Sequence, residues 1–450
     1  MNRLPDLLTW RAEGLRLRRQ PLAWIALSAL ALALLFTAMA AGLEAREWRH
    51  AAAADPVRHA AQLKDAIHRA QAGLPPGVAA AQAAYQLGRG DLGATRMTVG
   101  DALGLGVHRL RVLPAQLKAT LDSRHVEARP LGPLRNPLLV DSGLPGVPAM
   151  TALLLPLVAL ALCAGLVQEE RESGRLGLLR VQASRGFAAP VLAALGWRFV
   201  ALWAVAAFAT APALLLDPGA TAAATLQWIS MLGAFCGVWV LLGGLLSVLP
   251  ISGPSAMLAA LGAWLVLTFA VPAGLTSIAQ RDAPMPSRLA AIIAMRDAQQ
   301  DSEVREQALA RAWYDRHPEV PAQLPAVWPA SFVPRVLEQD HTLRPLMRRF
   351  DEARRRQASL IERWSWLSPG LALTLAAERL AGTDTASHLY YLREVDAFED
   401  RWREFLIPPV MDRRGLTAEA LSALPHFLPT RAAPGSTSPA APPPPAPSPR

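Results

Sequence analysis

The sequence predicts an α-helical integral membrane protein with about five transmembrane helices and two mainly helical extracytoplasmic segments. Three observations lead there. Of 450 residues, 52% are hydrophobic and only 18% charged, a balance too apolar for a chain whose whole surface meets water. The apolar residues gather into uncharged runs of about 18 or more, enough to cross roughly 30 Å of hydrocarbon. Between these runs lie polar stretches whose apolar residues recur at helical spacing.

Residues 1–21 read as a cytoplasmic N-terminus, because Arg11, Arg16, Arg18 and Arg19 precede the first apolar run and the positive-inside rule keeps them inside. The first transmembrane helix is expected at 22–43. Ala38-Met39-Ala40 resembles a signal-peptide cleavage site, but the run exceeds the roughly 7–15 residues of a signal-peptide core. Either outcome sends Glu44 outward. Residues 44–148 then form a first extracytoplasmic domain, Ala-rich and helical at its start, with Gly and Pro punctuation later.

Residues 149–276 form the membrane core, with transmembrane helices 2–5 and a cytoplasmic coupling loop at 168–187. Span two centres on Ala149–Val167. Span three is Phe199–Leu216, extended at its start by the apolar residues before Arg198, and Arg198 is expected to snorkel toward the headgroups. After Asp217 no charge appears before Arg281, which leaves room for two spans around the turn Pro250-Ile251-Ser252-Gly253-Pro254-Ser255. Five crossings place 277–430 outside as a second extracytoplasmic domain. Within it Ser365–Ala377 is apolar but only 13 residues long, too short to span and suited to a buried or interface-lying helix. The Pro-rich tail, 431–450, cannot bury a core and is expected to be disordered and partly polyproline.

Most chemistry is excluded. Formal net charge is +9, but the basic residues are spread along the chain, so no nucleic-acid partner is expected. Lysine occurs only at Lys64 and Lys118, neither in a phosphate-binding loop, so nucleotide hydrolysis must fall to another protein. All nine histidines fall in the extracytoplasmic segments, and none pair at metal-ligand spacing. Cys163 and Cys236 lie in apolar runs as small hydrophobes. No catalytic constellation supports an enzyme, and no cofactor is expected. Gly233 and Gly237 in span four allow a close helix contact, most simply for packing.

The loop after span two carries the functional signal. Glu169, Glu170, Arg171, Glu172, Ser173 and Gly174 form a charged cluster, followed by Leu176, Leu178, Leu179 and Val181 and closed by Ser184-Arg185-Gly186. On a helix Glu172 and Arg175 are i,i+3 neighbours while the leucines share an apolar side, giving a short amphipathic helix under the membrane. A solvated positive-inside loop is the other reading.

The stretch from Leu153 to Arg198 resembles the span, loop and span of ABC-2-type transporter permeases. That resemblance implies a coupling helix seated in a separate ABC ATPase subunit, which binds the ATP. It carries the coupling role onto Glu169, Glu170, Arg171, Glu172, Gly174, Leu176, Leu179, Ser184 and Arg185. It also implies a second permease copy or paralogue, a bacterial inner (cytoplasmic) membrane, and export or movement of an unnamed substrate. Further ordered motifs look like the DUF3526-type branch with large extracytoplasmic insertions. These are Asn136-Pro137-Leu138-Leu139, Pro286-Ser287-Arg288, His317-Pro318-Glu319, Leu367-Ser368-Pro369, Ala381-Gly382-Thr383-Asp384 and Leu424-Pro425-His426-Phe427. Two departures stand out. Arg175 replaces the usual Thr, and the Pro-rich tail follows where similar permeases have a sixth span. With five spans the C-terminus is expected in the periplasm, and a non-transporting scaffold or mechanotransmission protein is the alternative function.

Overall fold

The computed structural model describes residues 7–71, 73, 75–124, 145–174, 177 and 188–428. Helix α1 (Leu7–Arg18) closes in the turn Arg19-Gln20. Next, α2 (Pro21–Gln71) opens on a proline, whose missing N–H has no helical partner to lose. At 51 residues it is about 76 Å long, so the first transmembrane helix does not end at Glu44. Good helix formers continue it far beyond the apolar run. Then come α3 (Val78–Arg89), β1 (Ala94–Arg96), the short helices α4 (Leu103–Gly106) and α5 (Arg109–Val112), and β2 (Gln116–Lys118). The strands pair antiparallel with Thr95 opposite Leu117.

Span two is α6 (Val147–Cys163), which breaks at Ala164-Gly165 and resumes as α7 (Leu166–Glu172). Span three is α8 (Ala188–Thr210) with the short α9 (Pro212–Leu215), and span four is α10 (Ala222–Val248). Span five runs from α11 (Gly253–Leu265) through a π-turn at Val266–Ala270 into α12 (Val271–Asp282). The Pro250–Ser255 cluster is the turn between them, and Ser252 caps α11 by accepting from the Ser255 N–H. Among the described residues five helical stretches are thus long and apolar enough to cross a membrane. Leu34, Leu155, Leu202, Trp228 and Trp239 fill their common core. Span five stands apart: 11% of its apolar window is buried, against 28–50% for the others.

Beyond the spans lie α13 (Arg288–Val304), α14 (Glu306–Arg316), α15 (Phe332–Trp364), α16 (Pro369–Ala381), α17 (Thr385–Met411) and α18 (Ala418–Ser422). The two polar stretches that the sequence separates fold into one head. Tyr85, Leu121, Trp313, Val333, Phe398 and Trp402 share a core. The Trp402 indole donates to the Gly88 carbonyl (3.0 Å), and the Tyr391 hydroxyl meets Thr95 of β1. Each stretch buries apolar side chains of the other in this core.

The head docks tightly on the spans. The Asp217 carboxylate, fully buried where span three ends, accepts from Arg49 of α2 (2.9 Å), from the Leu103 N–H (2.9 Å) and from the Gly219 N–H (3.0 Å). Beside it Gly104 lies so near the carbonyl of Ala213 that a Cβ there would sit 1.8 Å from the oxygen. Gly100 similarly meets the backbone at Leu380 and Gly382. Helix α16, with the short 3₁₀ turn Ser365–Leu367 before it, packs on the head-side part of α6 and on the π-turn of span five. There the Ser368 hydroxyl donates to the Leu267 carbonyl at 2.6 Å, a bond suited to a turn where the regular ladder is interrupted.

Arg198 corrects one expectation. Helix α8 begins at Ala188, within the expected extension of span three, so the arginine lies inside the helix. It is buried and donates to the carbonyls of Leu162 (2.8 Å) and Ala194 (3.1 Å) instead of reaching the headgroups. Gly233 and Gly237 face Trp203 and Phe199 of α8, so their small size serves packing within the chain.

Candidate functional site

At the end of the spans away from the head, α7 is tied to its surroundings residue by residue. Gln168 donates to the Leu246 carbonyl (2.9 Å), and Arg171 donates to the Leu249 carbonyl (3.2 Å), both at the end of span four. Glu172 accepts from the Gly253 N–H at 2.7 Å, placing a carboxylate on the N-terminus of α11, where the helix dipole favours negative charge. The short α7 therefore links spans two, four and five. It ends at Gly174, whose φ of +73° takes the left-handed conformation that glycine tolerates best.

The other wall of this platform is α1. Its Trp10 packs over Gly196 of α8, while Trp197 of α8 packs over Gly14 of α1; a Cβ would meet the facing ring at 2.5 Å at Gly196 and 2.9 Å at Gly14. The Trp197 indole donates to the Trp10 carbonyl (2.8 Å), and the rings meet edge to face at 5.8 Å. Arg16 of α1 pairs with Glu170 of α7, joining the two helices. Glu13 lies next to them at 4.0 Å from Arg16, and burial raises its pKa against the pull of Arg16 and Arg198.

The expected coupling residues therefore divide. Glu169, Arg171, Glu172 and Gly174 are exposed, although Arg171 and Glu172 also bind backbone within the chain. Glu170 is buried and turned inward to Arg16. Leu176, Leu179, Ser184 and Arg185 lie outside the described residues. Sequence reasoning used the N-terminal arginines only for topology and missed Trp10, Glu13, Gly14 and Arg16. The available signal was a tryptophan and a glycine one helical turn apart before span one, matched by Gly196-Trp197 before the middle of span three.

Among the described residues no three or more His, Cys, Asp or Glu side chains group to hold a metal ion. What the platform offers is mechanical: an exposed charged edge on α7, joined by hydrogen bonds and a partly buried ion pair to α1 and three spans. A displacement of that edge must move those elements or break those bonds.

The fold and this platform define a multi-pass α-helical membrane protein with a large polar head. A family model described as a domain of unknown function, DUF3526, matches residues 288–430, the stretch from α13 to the end of the described head. No curated protein and no solved structure matches the chain.

Proposed function

We propose that this chain is the membrane subunit of an ABC-2-type transporter, in which a separate ATPase drives movement of an unidentified substrate across a bacterial inner membrane. The observation that carries the reading is the α7 platform. Its charged edge, which includes the exposed Glu169, is bonded to spans two, four and five and to α1. The resemblance of Leu153–Arg198 to ABC-2-type permeases supports the same role. A nucleotide-dependent partner on α7 would bias the spans between two arrangements. In this reading α1 and α7 lie in the cytoplasm, the head in the periplasm, and a second copy or a paralogue completes the transporter.

The tight seat of the head favours one alternative, a mechanotransmission protein that passes ATPase motion to periplasmic partners. Asp217 and Gly104 join span three, α2 and the head without a flexible linker, so span motion would reach the head directly.

The test is co-purification. The chain alone should hydrolyse no ATP and should bring a separate ATP-binding protein with it from its native membrane. Glu169→Arg, at an exposed position, should sharply reduce the recovered ATPase while leaving the chain's melting unchanged. Glu170→Arg should instead break the Arg16 contact and loosen α1, seen as faster proteolysis before Pro21. Undiminished ATPase recovery with Glu169→Arg would return α7 to a solvated loop.

Topology gives a separate check. A reporter active only in the periplasm, fused after Pro429, should be active, and a cytoplasm-only reporter should be silent. The opposite pattern would require α16 to cross the bilayer, although 13 residues reach only about 20 Å.

A further inference from the structure

The lower end of α15 enters the membrane region, and two hydrogen bonds bracket where. Below, Ser368 donates to Leu267, inside the apolar part of span five. Above, the Gln357 amide donates to the carbonyl of Ala283, just past the polar end of α12 (2.7 Å). The segment 357–368 therefore passes through the level at which span five leaves the hydrocarbon. Trp364 and Trp366 lie within it, 42% and 67% exposed, with ring centres 6.3 Å apart. Large exposed indoles at that level are what the interface between hydrocarbon and headgroups accommodates.

Arginines lie along and beside the same segment. Arg363 sits over the Trp364 ring at 5.9 Å. Arg355 and Arg356 lie two turns above it on the exposed face of α15, and Arg281 is exposed at the end of α12. The neighbouring carboxylates are partly engaged: Glu352 pairs with Arg356 (3.9 Å) and Glu362 with Arg379 (3.5 Å). Arg354 lies 3.6 Å from Asp351, which also interacts with Arg355, so counting Asp282 and Asp351 six arginines face four carboxylates. The planar guanidinium matches phosphate oxygens in bidentate geometry, and a basic group near an anionic bilayer surface is drawn to it.

We propose that Arg281, Arg355, Arg356 and Arg363 form a binding site for anionic phospholipid headgroups in the leaflet on the head's side, with Trp364 and Trp366 seated in the adjoining interface. The site holds the foot of α15, and through it α16, against span five. Span five has little protein around it, so lipid supplies the missing lateral support. The inference needs only the spans and stands apart from any ATPase partner.

The full chain in nanodiscs of phosphatidylcholine mixed with phosphatidylglycerol tests it, with retained lipid counted after delipidation. The wild type should retain phosphatidylglycerol preferentially. Replacing Arg281, Arg355, Arg356 and Arg363 by Gln should cut that preference by at least about fivefold, roughly the surface attraction of a single arginine. A control carrying Arg311→Gln, Arg316→Gln, Arg401→Gln and Arg414→Gln, at exposed head positions, should keep it. Equal retention of both lipids by the wild type would overturn the proposal. So would an unchanged preference in the first variant, or an equal loss in the control, which would make net charge the cause. Soluble glycerol phosphate that protected the wild type from heat as well as the mixed bilayer does would also overturn it.

Discussion

Arg403→Met should unfold the head at a temperature or denaturant concentration where the spans stay helical. The Arg403 guanidinium lies in the middle of the head, where it pairs with Asp340 and Glu399 and donates to the carbonyls of Thr120 and Asp122. Glu399 is fully buried, and Asp340 and Arg403 nearly so. Arg124 shares both carboxylates and reaches Asp400 at 2.7 Å. Burial works against the Arg124 charge, but Glu399, Asp400 and Asp396 outweigh it and raise its pKa. Methionine at 403 would leave two buried carboxylates with one buried arginine, and breaking such a network by removing one partner costs about 3–5 kcal/mol. The measurement is denaturant unfolding of the purified chain, followed by hydrogen exchange at residues 116–124 and 398–411 for the head and by far-ultraviolet dichroism for total helix. Superimposable transitions for variant and wild type would show that the network contributes little.

Gly104→Val should separate the head from the spans. The new Cβ would overlap the Ala213 carbonyl, and backbone cannot swing aside as a side chain can. The adjacent Leu103 N–H would be drawn away from Asp217, leaving the buried carboxylate one donor short. Hydrogen exchange at residues 100–106 and 212–220 should rise by at least tenfold. Gly262→Val is the control, because nothing lies within 4 Å of a Cβ there; it should leave exchange at both segments as in the wild type. Protection that survives Gly104→Val would mean the two parts adjust around the larger side chain.

Several features were legible before any coordinates. The uncharged runs, the turn at Pro250–Ser255 and the short apolar segment near Ser365 follow from the cost of leaving polar groups in hydrocarbon. The exposed charge of Glu169 also follows from local pattern. Glu170 does not: neighbours in sequence, the two carboxylates differ because α1 brings Arg16 to only one of them. Arg198 reads as a span-edge residue by hydropathy, yet α8 begins well before it and the carbonyls of Leu162 and Ala194 receive its protons.

The sequence by itself determined the membrane class, the spans and their order, because transfer from water to hydrocarbon is decided within each run of about 20 residues. Tertiary structure alone decided that residues on either side of the membrane core build one head, that Gly104 and Asp217 seat it, and that α1 closes the platform beneath α7. Those outcomes rest on contacts between residues hundreds of positions apart, such as Trp402 with Gly88 and Arg403 with Thr120. No local periodicity encodes such a pairing; it is selected when distant apolar faces and buried charges satisfy one another in the folded chain.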